Sequence, residues 1–206
     1  MGRMGAMPLR YRLPRRLAQL YVGLILYGLS MALIIGSALG NMPWDVLHQG
    51  ASKQTGLSIG TVAAIIGAVV LLLWIPLRER PGIGTISNVV VISVAVDVFL
   101  NVLPVPEPLV VRIGYAAVGI LLNGVATAAY IGAALGPGPR DGLMTGIVRR
   151  TGGSVRLIRT GIEIAVVGIG WLLGGILGFS TAAYALFIGP LVQIFLPRLA
   201  VKGPET

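Results

Sequence analysis

Six long apolar runs dominate the chain, at about 17–40, 58–77, 83–103, 111–135, 155–175 and 179–197. Each approaches the roughly 20 residues an α-helix needs to cross a hydrocarbon core of about 30 Å. Apolar residues fill all sides of these runs rather than one 3.6-residue stripe, as expected of helices surrounded by lipid and by one another. Strands are not expected, because the runs are too long and the ten-residue alternation of a membrane barrel is missing. Two polar intervals, 41–57 and 137–153, follow the first and fourth runs. A helix from Pro43 to Gln54 would reach only about 18 Å at 1.5 Å per residue, and it carries Asp45, His48 and Lys53. Such a segment is predicted to lie in the interface or to dip in as a re-entrant helix. Two extra crossings, giving eight in all, are the alternative.

The runs and intervals form a pattern that occurs twice. Ala38-Leu39-Gly40 returns 96 residues later as Ala134-Leu135-Gly136. At the same offset Pro43 becomes Pro139, Asp45 becomes Asp141, Gly50 becomes Gly146, and Thr55-Gly56 becomes Thr151-Gly152. Gly82 and Thr85 return as Gly178 and Thr181. A duplicated membrane unit is a common ground plan of transporters. The division that follows is a basic arm at 1–15, a repeat at 16–103, a linker at 104–110, a second repeat at 111–197 and a tail at 198–206. The first run, 17–40, has an internal copy, so it is expected to be a retained span and not a cleaved leader.

Composition agrees: 55% of residues are hydrophobic and only 11% charged, against about 25% charged in a soluble domain. The net charge of +9 does not point to nucleic acid, because the cations sit at the ends of apolar runs. Lys and Arg are plentiful before the first run (Arg3, Arg10, Arg12, Arg15, Arg16), at 78–82 and in 136–154, and in the tail. They are sparse at 41–57, 104–110 and 176–178. This alternation predicts both termini in the cytoplasm. Three spans per copy is an odd number, so the copies are expected to be inverted. The fold class predicted is therefore an all-α membrane protein: six spans in two inverted three-helix repeats, each with a short interfacial or re-entrant helix.

Chemistry narrows from there. With no cysteine and one histidine, His48, thiolate metal sites and most Ser-His-Asp arrangements are excluded. No HExxH, Asp-rich metal motif or nucleophile–base pair is visible; no enzyme, metal or cofactor is expected. The first candidate site is the pair Pro43-Trp44-Asp45 and Pro139-Arg140-Asp141. Gly ends one helix, Pro opens the next, and Asp sits in its first turn near the positive end of the dipole. Read plainly, each is a helix break with a stabilising acid. Read functionally, each is a broken helix lining a binding site, one forming an outer gate and the other an inner gate. The second candidate is the set of in-membrane polar groups. Glu163 falls mid-run, where the first copy has Gly67, and either pairs locally with Arg159 or couples proton movement. Asp97 lies toward the outer end of the third run, matched by Gln193. Asn88 and Asn123 are pore residues or interhelical glue, the latter preferred. Gly28, Ala32, Gly36 and Gly40, with their copies from Gly124 to Gly136, form a small-residue ridge expected to pack the first span on the fourth. Gly82 to Thr85 and Gly178 to Thr181 read as turns with a capping hydroxyl.

The Arg-rich start, the Leu39-Gly40-Asn41-Met42-Pro43-Trp44-Asp45-Val46-Leu47 motif, the Ser58-Ile59-Gly60-Thr61 entry and the Leu135-Gly136 to Leu143 second copy resemble the bacterial YczE-like membrane proteins, related to the broader YitT group. The resemblance covers about 15–197. It implies a polytopic bacterial inner-membrane protein and supplies no agreed substrate. The function expected is secondary transport of a small polar or amphipathic solute, with proton coupling through Glu163 or Asp97. The alternative is a scaffold or accessory subunit that moves nothing itself, supported by the shortage of charge inside the runs. The partners expected are the lipid bilayer and a small solute, with no nucleic acid; a homodimer is left open.

Overall fold

The structure, a computed structural model, describes residues 10–201. Arg3 of the basic arm and Lys202 of the tail lie outside the described residues. Among the described residues, eight α-helices and no strand are found: α1 (Leu13–Ser37), α2 (Pro43–Thr55), α3 (Ile59–Leu77), α4 (Ile83–Val102), α5 (Leu109–Gly132), α6 (Pro139–Thr151), α7 (Val155–Leu172) and α8 (Phe179–Leu199). The six apolar runs and the two short intervening helices are all present. Five helices, α1, α3, α4, α5 and α8, are long and apolar enough to cross a membrane. The 18-residue α7 falls short of that standard because Arg156, Arg159 and Glu163 interrupt it. Many large apolar side chains on the outside of the bundle are exposed, among them Leu72, Ile75, Val110, Leu157 and Phe179. In a chain this poor in charge, that surface is one that lipid covers.

Local chemistry sets the helix ends. Ala38 and Gly40 have φ of 52° and 116°, and their counterparts Ala134 and Gly136 have 53° and 128°. Left-handed residues of this kind terminate a helix, so α1 stops at Ser37 rather than running on to Gly40. Pro43 and Pro139 then open α2 and α6, with Asp45 and Asp141 in the first turn. Ser58 caps α3 by accepting from the Thr61 N–H at 3.1 Å. Gly82 N–H donates to Thr85 Oγ1 at 3.1 Å and Gly178 N–H to Thr181 Oγ1 at 3.3 Å, the capping hydroxyls expected from the sequence.

At the centre, α1 packs along α5. The Arg16 side chain, at the start of α1, donates to the Ala133 and Ala134 carbonyls at 2.8 and 2.7 Å. Arg112, at the start of α5, donates to the Ser37 and Ala38 carbonyls at 2.7 and 2.9 Å. Each arginine thus satisfies orphan carbonyls at the end of the other helix, and the two helices run antiparallel. They meet closely at Gly23 and Gly119, where an added Cβ would press on Tyr130 N and on Ile34. The predicted small-residue ridge meets α5 only at Gly36, which faces Tyr115, and has other partners elsewhere. Gly28 lies against Ala95 and Val96 of α4, and Gly124 against Leu191 of α8. Gly23 and Gly119 serve the α1–α5 contact because they lie on another face of each helix.

The short helices cross between halves. α2 packs on α7, and α6 on α3. Trp74 of α3 fits over Gly142 of α6, where a Cβ would overlap its ring; Gly170 of α7 makes the equivalent space for Val46 and Leu47 of α2. The starts of the last helices are exchanged too: Gly84 N–H donates to Leu135 O at 2.9 Å, and Ser180 N–H to Leu39 O at 3.0 Å.

Candidate functional site

A cavity of about 370 Å³ occupies the middle of the bundle and receives side chains from all eight helices. Its polar wall is built by the first turns of α2 and α6. Their starts are free of intrahelical N–H acceptors and carry the positive end of each helix dipole. That places Asp45 and Asp141 where a carboxylate is favoured.

The two Pro-x-Asp motifs meet there. Arg140 lies with its guanidinium carbon 4.9 Å from the centroid of the Trp44 ring. Its Nη2 is 3.8 Å from Asp45 Oδ1. Residues 44 and 140, assigned by the sequence to an outer and an inner gate, touch here and form one cluster joining the two halves. The same Asp45 oxygen accepts from His48 Nδ1 at 3.2 Å; a carboxylate only accepts, so Nδ1 carries the proton. Asp45 is fully buried, and its Oδ2 has no hydrogen-bond partner. Buried carboxylate oxygens are seldom left so. Asp141 is served differently: its Oδ2 accepts from the Tyr130 hydroxyl at 2.9 Å. Pro43, Trp44, Pro139, Arg140 and Asp141 line the cavity, and Asp45 sits directly behind them.

Three tyrosines that the sequence reading does not single out complete this wall. Tyr27 and Tyr130 meet edge to face, with ring centroids 6.2 Å apart. The Tyr184 hydroxyl donates to Asn123 Oδ1 at 2.9 Å, and Asn123 Nδ2 donates to Ser30 Oγ at 2.8 Å. Asn123 is therefore glue between α1, α5 and α8. Asn88 lines the cavity, as do Glu163 and Arg159. The last two also form the local pair, Arg159 Nε donating to Glu163 Oε1 at 2.9 Å. Asp97 is elsewhere. Its Oδ2 accepts from Ser58 Oγ at 2.5 Å and its Oδ1 from the Gly60 N–H at 2.7 Å. It ties α4 to the start of α3 and does not reach the cavity. Its counterpart Gln193 does reach it.

Among the described residues, no group of three or more His, Cys, Asp or Glu side chains is placed to hold a metal ion. The arrangement offers ion pairs, hydroxyl donors and aromatic faces around a space of ligand size, the usual makings of a binding site.

No solved structure matches the chain significantly. Three sequence relatives do. An uncharacterized protein of Haemophilus influenzae is 41% identical over 88% of this chain and 83% of its own length. The uncharacterized membrane protein YczE of Bacillus subtilis is 35% identical over 86% of this chain and 84% of its own. The uncharacterized protein YyaS, also of Bacillus subtilis, is 24% identical over 85% and 90%. Residues 14–197 match the family of unknown function DUF6198. Helices that are apolar on the outside, gathered around a central cavity with one polar wall, and this match over nearly the whole chain lead to one conclusion: the protein is a YczE-like multi-pass membrane protein belonging to the DUF6198 family.

Proposed function

We propose that this protein is a secondary transporter of a small polar or amphipathic solute, built as two inverted three-span repeats around one central site. The observation that carries the reading is the cavity of about 370 Å³ at which the first turns of α2 and α6 converge, Arg140 of one repeat resting on Trp44 of the other. Broken helices whose N-termini face a central cavity are how many transporters bind solute within the bilayer. The exchanged arginines at the ends of α1 and α5 support the inversion, since each copy presents its start to the end of the other. The alternating Lys and Arg content supports both termini in the cytoplasm of a bacterial inner membrane.

Exchange of the short helices suggests how the halves move. α2 rides on α7 and α6 on α3, so a tilt of one three-helix unit carries the other unit's broken helix with it. Solute bound at the Trp44–Arg140 contact then faces one side or the other as the units rock. Glu163, on α7 and at the cavity edge, is the coupling carboxylate; its pairing with Arg159 is broken and remade as the proton moves. Asp97 is dropped from that role because it caps α3.

Flux of candidate solutes into proteoliposomes, with and without a pH gradient, tests the reading. Asp45→Asn and Asp141→Asn are expected to lower flux by about tenfold or more, the effect of weakening a charge-assisted contact. Glu163→Gln is expected to abolish the response to the pH gradient. Unchanged flux in all three variants contradicts the site.

A further inference from the structure

The cavity is not equally closed on its two sides. On one side α3 packs along α4, and Gly67 lets Val89 approach within 3.1 Å of where a Cβ would stand. On the other side the corresponding helices, α7 and α8, hardly touch. Glu163 stands where the first repeat has Gly67, and Arg159 where it has Ala63. All four of these residues line the cavity. The Arg159 and Glu163 side chains are 59% and 36% exposed, and Gly189 and Gln193 opposite them on α8 are exposed as well. An ion pair is costly within a membrane, and this one borders a sideways opening from the cavity toward the surface that lipid covers.

Inside that opening, one cation has hydrogen bonds to spare. Asp45 is engaged by His48, Asp141 by Tyr130, and Glu163 by Arg159. Arg140, whose side chain is 30% exposed, has its ring contact and a loose 3.8 Å approach to Asp45. A planar guanidinium with free N–H groups facing a cavity suits a carboxylate or phosphate oxygen pair.

We propose that the solute is an anionic amphiphile, entering from the bilayer between α7 and α8, with its head group on Arg140 and its chain in the opening. The proposal rests on the transport reading and names its substrate class. Ion pairing at the entrance gives the charged head a polar path past hydrocarbon, while the chain never leaves an apolar setting.

The test uses the full chain carrying Trp171→Phe, which removes an exposed tryptophan, in lipid nanodiscs. The probe is 2-bromododecanoate, whose bromine beside the carboxylate quenches Trp44 when the head is on Arg140; Trp74, fully buried and not lining the cavity, stays as a constant background. Saturable quenching is expected, competed by dodecanoate or dodecyl phosphate but not by dodecanol; the stronger of the two anions identifies the head group. Arg140→Gln is expected to weaken it about tenfold or more. At Gly189 a Cβ would meet nothing within 4 Å, so Gly189→Leu starts without a backbone clash and adds a side chain at the opening without adding a fluorophore; it is expected to slow loading about tenfold. Equal competition by dodecanol, or unchanged quenching in Arg140→Gln, overturns the proposal. So does a Gly189→Leu protein that loses a dimeric state yet loads normally, because the opening is then a subunit contact. Flux of a chainless solute that persists without amphiphile binding refutes the substrate class alone; loss of both refutes the transport reading too.

Discussion

Gly60 shows how closely single residues are fixed. An added Cβ there would overlap the Ser93 carbonyl oxygen and press on the Asp97 carboxylate at 2.6 Å. Gly60→Ala therefore has to push α3 off α4 and is expected to cost about 1–3 kcal/mol, the usual penalty of overpacking. Gly161, exposed on α7 with open space where a methyl group would stand, is the contrast. Gly161→Ala is expected to be neutral or to stabilise by up to about 1 kcal/mol through backbone entropy. Thermal unfolding of the two purified variants checks both; equal midpoints contradict the packing described at Gly60. At this scale the sequence is only partly legible. A carboxylate in an apolar run announces itself, so Asp97 and Glu163 both stand out. Nothing in the spacing says that Asp97 turns toward Ser58 and Gly60 while Glu163 turns to the cavity. The tyrosines escape notice because an aromatic in a span is ordinarily packing. Two of their repeat positions hold a usable signal: Tyr27 corresponds to Asn123, and Tyr184 to Asn88, so a polar group stands at both in each copy, whereas Tyr130 corresponds to Ile34.

Helix ends, by contrast, are readable to within a few residues, since Gly, Pro and capping hydroxyls act locally. The short helices at 43–55 and 139–151 follow from their polarity and limited length. Their neighbours do not, because contact across 96 residues leaves no local trace; for the same reason the small-residue ridge does not reveal which helix it meets. The least local feature is the arginine exchange between α1 and α5. Replacing both arginines, Arg16→Gln and Arg112→Gln, leaves four carbonyls at helix ends without their guanidinium donors. The Ala133 carbonyl is buried, and a buried polar group left unsatisfied costs about 1–3 kcal/mol; the exposed Ala38 carbonyl, open to solvent, costs less. The double variant is expected to lose its fold at distinctly lower temperature than either single variant, measured by the temperature of half-aggregation in mild detergent. A double variant as stable as the parent contradicts the reciprocal capping.

Across the whole molecule, the duplication returns in the order of the eight helices, and departures from it line the cavity. Trp44 and Arg140 differ between copies and touch; Gly67 and Glu163 differ, and only the second leaves its helix pair apart. The central claim is that the copies face opposite ways around one cavity. Since the chain has no cysteine, one introduced thiol reports its own side. Gln49 is a poor place for it, because it is buried and its side-chain oxygen accepts from Asn41 Nδ2 and the Ile176 N–H. Thr55 and its counterpart Thr151 are both exposed at the ends of α2 and α6. With intact cells and a membrane-impermeant maleimide, Thr55→Cys is predicted to label and Thr151→Cys to label only after the membrane is opened. Labelling of both from outside, or of neither, contradicts the inverted arrangement.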